Sequence, residues 1–584
     1  MLRRIWRSPI TTVFLGILFL LSFSAAVYYH VNVYSAGMVI SSLPDEPIAV
    51  IVPADSTSEL SGLDKQSVMG MQAVGSEGQQ FRLEQAMRLL EDNGGQVMPV
   101  YHRVYTSKRA TSLIFEGIGS VDEVQRVIGA LRANVGLATF FVTRGQLMTD
   151  MQVITTIVQA GEQVGILIDP GQMTAVELMC DLLETWDILQ RTYGYMGEMV
   201  IRPAYGLATD ALLECASALG WPVVAHTFLA TPETVWRLGN PETIYEQVFS
   251  AAMPSLQRGG IALFQMGAFT GDAVLGNYVR HLIESRNPYP VTLVTDVIKD
   301  ASRQYIYPLS EKTIMDDIRN TIYSGHTTYS NVMDRITRGY IGLEGQNKES
   351  LMPGFTYLER DALNKTGLVR NENDQVYLTF EGWGSDSAVD AILTVLENHE
   401  VHATFFLQTE YAAMNPNLVR GIAAAGHDIG TMTHTGAPLA IGLDDDTRFI
   451  EINDDEADAL REDLVMSFDT LMHICGDMVS DSGRASLTTY CRPPNLAVSR
   501  SGLEVVFDLG FTYCILGSYD CEDDEAKSAQ ELADEMRKHT KSGSVLILRL
   551  SDDCLYTAEA LDIYLRRIEA DKHYRFVGLS MELR

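Results

Sequence analysis

The chain repeats itself, and that duplication limits its fold more than any other feature, because each copy must bury a core of its own. Phe115-Glu116-Gly117 with Gly119-Ser120 recurs as Phe380-Glu381-Gly382 with Gly384-Ser385, and Ala138-Thr139-Phe140-Phe141 recurs as Ala403-Thr404-Phe405-Phe406. The offset is 265 residues in both cases, from 115 to 380 and from 138 to 403. Arg202-Pro203 with Gly220 then matches Arg492-Pro493 with Gly510 at an offset of 290, so the second copy carries about 25 extra residues, placed in the acidic stretch Asp444 to Asp458. The copies occupy roughly 109–300 and 374–584. A length of 584 residues exceeds what one core usually serves, and 46% hydrophobic with 21% charged residues supplies cores for several domains.

Each copy alternates apolar strands with amphipathic helices. Ser112 to Phe115 reads as a strand. Ser120 with Glu123 forms a capping box that opens a helix whose apolar stripe is Val124, Val127, Ile128 and Leu131. Ala138 to Val142, a helix over Gln152 to Ala160 and a strand over Val164 to Ile168 follow, and the second copy repeats the order from Val376. This alternation predicts an α/β fold with a parallel sheet and outer helices, open or closed into a barrel. Residues 46–108, with a strand candidate at Ile48 to Val52 and a helix candidate at Phe81 to Leu90, read as a membrane-proximal segment. Residues 301–373, with a helix near Ser310 to Ile322, read as a connector.

The N-terminus suggests a compartment. Arg3, Arg4 and Arg7 precede an apolar run from Ile10 to Val27, with Tyr28 and Tyr29 beyond it. Residues 1–45 are therefore read as a short cytoplasmic tail and a transmembrane signal-anchor, which places the rest of the chain outside a cell membrane it spans once. A cleaved signal peptide is the competing reading, given the small residues Ser24-Ala25-Ala26. A formal charge of −32 repels phosphate backbones, so no nucleic-acid partner is expected. None of the seven cysteines is spaced as CxxC. They read as buried small side chains, with a Cys180 to Cys215 disulfide as an alternative.

Several strings in order give the duplication a family likeness. The second copy has Leu378-Thr379-Phe380-Glu381-Gly382, then Ala403-Thr404-Phe405-Phe406, Gly426-His427-Asp428-Ile429-Gly430, Arg492-Pro493-Pro494, Gly510-Phe511-Thr512 and a closing strand from Gly543 to Arg549. The first copy shows Arg202-Pro203-Ala204-Tyr205-Gly206. This pattern resembles the NodB-type polysaccharide deacetylases, over about two thirds of the chain. The resemblance implies two tandem distorted (β/α) barrels that act on N-acetylated sugars such as peptidoglycan or chitin. It also implies metal-assisted hydrolysis, in which a divalent ion polarises the amide carbonyl and activates water.

In that family the opening motif supplies a general base and a metal carboxylate, two histidines complete the metal site, and a final histidine is the general acid. By resemblance, the base positions are Glu381 and Glu116, and the metal-carboxylate positions are Gly382 and Gly117. The two histidine positions hold Met432 and Gly436 in the second copy and Leu167 and Gly171 in the first, and the closing position holds Arg549 and Gln265. Since a catalytic ion needs about three protein ligands, no metal site and no cofactor are expected. Zinc enters only under the alternative of a relocated site built from His427 and His434 with Asp520 or Asp523.

The candidate catalytic-position residues are therefore Glu381, Glu116, Arg492 and Arg202, each Arg holding its Glu in an ion pair. Trp383, Tyr205 and Tyr519 are candidates for stacking on sugar, with core packing as the competing role. The expected function is a membrane-anchored, catalytically degenerate protein that binds or scaffolds cell-wall glycan. An active deacetylase with relocated ligands is the alternative.

Overall fold

A strand covered on both faces shows a continuous apolar run, and Leu113, Ile114 and Phe115, like Leu378 and Phe380, are fully buried. The structure, a computed structural model, describes residues 76–230, 256–269, 274–286, 289–308, 331–443, 448–480, 483–571 and 573–583. In the first repeat the strands are β1 (Val100–Tyr101), β2 (Ser112–Glu116), β3 (Thr139–Val142), β4 (Gln163–Ile168), β5 (Ile201–Pro203), β6 (Val223–Val224), β7 (Phe228–Ala230) and β8 (Ile261–Gln265). The second contains β9 (Tyr340–Ile341), β10 (Gln375–Gly382), β11 (Thr404–Leu407), β12 (Asp428–Thr431), the hairpin β13 (Ile441–Leu443) and β14 (Arg448–Ile450), β15 (Leu487–Cys491), β16 (Tyr513–Ile515), β17 (Tyr519–Asp520), β18 (Val545–Leu550) and β19 (Arg575–Phe576).

The two sheets are wired alike. The first runs β1-β6-β5-β4-β3-β2-β8-β7, and the second, read from its other end, runs β9-β16-β15-β12-β11-β10-β18-β17. Every pairing along both paths is parallel. Register agrees as well: Phe115 pairs with Phe140 and Glu116 with Gln265, as Phe380 pairs with Phe405 and Glu381 with Arg549.

Alternation of side chains then makes two cores per repeat. On the helix-covered face Phe115 stacks on Phe140 at 4.9 Å and on Phe264 at 5.1 Å, and Phe380 stacks on Phe405 at 5.0 Å. The opposite face collects Ile114, Phe141, Val224 and Leu263 in the first repeat, and Tyr377, Phe406, Tyr490, Ile515 and Val545 in the second. Glu116 and Glu381 follow in phase with that inner set, so they face the inside of each curl at its carboxyl end.

Several details differ from the sequence reading. Each sheet draws its last strand, β1 or β9, from the segment ahead of its repeat, so the boundaries at 109 and 374 fall inside the folded units. Ser120 does accept from the Glu123 N–H, but the Glu123 carboxylate makes no return bond, and one of its oxygens is buried without a partner. The extra residues of the second copy include the β13–β14 hairpin, and the helix Asp454–Cys475 follows it. All seven cysteines are free, which removes the Cys180 to Cys215 disulfide. The single-pass membrane location is corrected: among the described residues no helix is long and apolar enough to cross a membrane, and the segment that suggested one, 10–27, lies outside them. The strand candidate at Ile48 to Val52 and the helix candidate near Ser310 to Ile322 also lie outside the described residues.

The repeats meet through buried polar groups. Asp386, at the start of the second repeat's helix Asp386–Asn398, accepts from the Arg258 backbone N–H at 2.9 Å and from the Tyr289 hydroxyl at 2.8 Å. One turn on, Asp390 accepts from Arg258 at 3.0 Å and is also held by Arg109. Asn417 donates to the carbonyls of Val104 and Arg258 at 2.9 and 2.6 Å and accepts from the Thr106 N–H and the Tyr305 hydroxyl. The Arg420 guanidinium lies 4.0 Å over the Tyr305 ring. Burial on this scale holds only while each polar group has its partner.

Candidate functional site

The carboxyl ends of parallel strands are where sites form in such folds, because the chain leaves the sheet there in loops. In the first repeat Glu116 ends β2, Arg202 sits in β5 and Gln265 ends β8. Arg202 Nε donates to one Glu116 oxygen at 2.6 Å and Gln265 Nε2 to the other at 2.7 Å, so both oxygens are held. The Arg202 guanidinium is buried, approaches His226 Nδ1 at 3.5 Å, and leaves Nη1 without a partner.

The second repeat keeps the pair and changes its surroundings. Arg492 is fully buried, donates to Glu381 at 3.3 Å, to Thr379 Oγ1 at 2.8 Å and to the Ile515 carbonyl at 3.0 Å, and lies 4.3 Å over the Phe406 ring. Glu381 is 7% exposed. Burial raises its carboxyl above the ordinary range, against the lowering pull of Arg492 and Arg549. Arg549, directly beside Glu381 in register, makes two parallel bonds to Asp520 at 2.9 Å each and pairs with Asp523 and Asp524 at 3.3 Å. Its guanidinium is therefore committed to neighbouring carboxylates.

The sugar-stacking candidates separate. Tyr205 is 79% exposed, and its backbone sits at φ 56°, a left-handed conformation that Asn495 repeats at φ 54° after the other Arg-Pro. Trp383 is half-buried and packs on the helix-side core. Tyr519 faces that core too, stacked on His539 at 3.7 Å, so it does not reach the opening: alternation along β17 sends Asp520 to Arg549 instead.

The residues present do not fit a divalent ion. Four of the six positions that the resemblance assigns to metal ligands are glycines, all at positive φ: Gly117 at 73°, Gly171 at 41°, Gly382 at 90° and Gly436 at 89°. Met432 and Leu167, which supply no histidine nitrogen or carboxylate, occupy the other two. Among the described residues no group of three His, Cys, Asp or Glu side chains is placed to hold a metal. The relocated set does not converge either: His434 Nδ1 is bonded to Thr409 at 2.9 Å, Asp523 accepts from Thr557 at 2.6 Å, and His427 lies at the far end of β12.

His427 has a role that the sequence reading missed. Its Nδ1 accepts the Ala403 N–H at 3.2 Å, and in the first repeat Glu162, at the same offset of 265, accepts the Ala138 N–H at 2.8 Å. The duplication alone carried that signal.

The polysaccharide deacetylase family model matches residues 369–514. Over that stretch the second repeat is similar to the polysaccharide deacetylases. The Bacillus cereus peptidoglycan-N-acetylglucosamine deacetylase is 26% identical to this chain over 229 residues, 39% of this chain and 74% of the relative. The Bacillus subtilis peptidoglycan-N-acetylmuramic acid deacetylase PdaA is 25% identical over 190 residues, 32% of this chain and 63% of the relative. Among solved structures, a Bacillus anthracis protein described as a CE4 family pseudoenzyme matches at 19% identity and a TM-score of 0.30, covering 37% of this chain and 67% of the other.

Proposed function

We propose that this protein is a catalytically degenerate tandem polysaccharide deacetylase that binds N-acetylated cell-wall glycan without cleaving it. The observation that carries the reading is the pair of carboxyl-end openings in which glutamate and arginine stand as a fixed ion pair while every family metal position lacks a carboxylate or imidazole. The family's chemistry draws its largest rate contribution from a metal-activated water, and Glu381, locked to Arg492, is a poor substitute. Exposed Tyr205, held in a sparsely populated backbone conformation beside the first opening, is the surface this reading assigns to the sugar face. The relatives with named substrates in this family act on peptidoglycan or chitooligosaccharide, which motivates the choice of ligand.

The test pairs two measurements on the full chain: acetate release from chitooligosaccharide and peptidoglycan fragments with added zinc, cobalt or nickel, and a binding titration of the same glycans. We expect saturable binding, weakened several-fold by Tyr205→Ala, and no metal-dependent acetate release. Metal-dependent turnover abolished by Glu381→Gln would replace this reading with an active enzyme.

A further inference from the structure

At the amino-terminal ends of the strands in the second repeat, opposite the site above, lies a cavity of about 350 Å³. Its polar wall is made by His402, His427, Asp428, Arg484, Ser486 and Ser580. We propose that this cavity binds a small molecule through a carboxylate or phosphate group, independently of the glycan reading.

The argument is an inventory of donors and acceptors. Asp428 is the carboxylate in the wall, and it is already satisfied within the fold: the Ser580 N–H and hydroxyl bond it at 2.9 and 2.6 Å, and Thr404 Oγ1 at 3.1 Å. The groups left over are donors. Ser486 is 2% exposed, and its hydroxyl has no hydrogen-bond partner. The His427 ring accepts the Ala403 N–H at Nδ1, which fixes the proton on Nε2 and makes that atom a donor. Arg484 uses Nη1 on the Ser580 carbonyl at 2.7 Å and on Met581 Sδ at 3.1 Å, and its guanidinium carries three further N–H groups. A buried hydroxyl, an imidazole N–H and a guanidinium around one space are complementary to an anionic group with several acceptor oxygens. Gly578, Ser580 and Met581 close the cavity from the carboxyl-terminal segment, so an occupant would be covered by chain already anchored to Asp428. A neighbouring cavity of about 400 Å³ shares His402 and His427 and reaches Arg303, which leaves room for the rest of the molecule.

The experiment is calorimetric titration of the full chain with inorganic phosphate and, separately, acetate at constant ionic strength, with thermal unfolding of each variant recorded without ligand. We expect saturable binding of one of the two, which names the group, weakened at least about tenfold in both Ser486→Ala and Arg484→Gln, with Arg191→Ala as an exposed control in the first repeat that binds like the parent. Ser486→Ala removes an unpartnered hydroxyl and so leaves the fold intact, which keeps the test valid if Arg484→Gln unfolds. Absence of saturable binding for both anions, or binding undiminished in Ser486→Ala, overturns the proposal. Neither result depends on what the carboxyl-end openings bind.

Discussion

A buried ion pair is costly to break from one side. Removing Arg492 strands Glu381 away from water, so Arg492→Met is expected to destabilise the second repeat by about 3–5 kcal/mol, and Glu381→Leu on that background to recover much of the loss. Denaturant unfolding of the four-member cycle measures this. Glu162 gives a pH signature. Burial pushes its carboxyl up to about 7 from the ordinary 4.5, with one oxygen on the Ala138 N–H and the other unpaired. The folded chain therefore holds a proton the unfolded chain releases, and stability falls as pH rises from about 4.5 through about 7. Glu162→Gln should match the parent near pH 4.5 and exceed it at pH 8, by up to about 3 kcal/mol. A variant that is less stable than the parent at pH 8 would refute this. The partnership of Glu162 with Ala138 was written in the sequence only as an offset, because nothing local marks a glutamate as the acceptor for a buried backbone amide.

Among the elements, the first three strands of each repeat and their alternation with helices were legible because parallel strands buried on both faces read as apolar runs. The sheet order was not legible, and among the strands that escaped were pieces too short for a period to show, such as two-residue β1, β9 and β17; in β17 a shift of one residue decides whether Tyr519 or Asp520 faces inward. The helices hold together in part through His399, which caps Asp386–Asn398 and reaches Asp562 at 3.0 Å and Glu569 at 2.7 Å on the helix Thr557–Asp571. Burial alone lowers the imidazole's pKa, but the bonds to Asp562 and Glu569 outweigh it and the net shift is upward. The clamp thus contributes fully below the ordinary value of 6.5 and is lost as pH rises through the folded-state value. His399→Leu should lower the melting temperature at pH 5.5 clearly more than at pH 9; equal losses at both would exclude a charged clamp.

For the whole molecule the duplication announced two copies but not that they share a buried polar seam. Asp386 and Asp390 look like ordinary acidic residues at a helix start, and only the neighbouring repeat makes them interior. The corresponding positions of the first copy, Val121 and Gln125, carry no charge, so the seam belongs to one orientation of the pair. Residues 79–584 form one compact unit. The two repeats are expected to unfold in a single calorimetric transition, while Asp390→Ala, which leaves Arg109 and Arg258 without their shared carboxylate, should separate it into two. Two resolved transitions in the parent chain would show that the seam does not couple the repeats.

The left-handed glycines also limit which side chains these positions can accept. An L-residue in that conformation costs about 1–2 kcal/mol, so placing aspartate at Gly382 and histidine at Gly436 costs about 2–4 kcal/mol before any ion can offset it. Each single substitution is a loss with no compensating gain until further ligands are in place, so the two backbone conformations act like a ratchet against stepwise assembly of such a site.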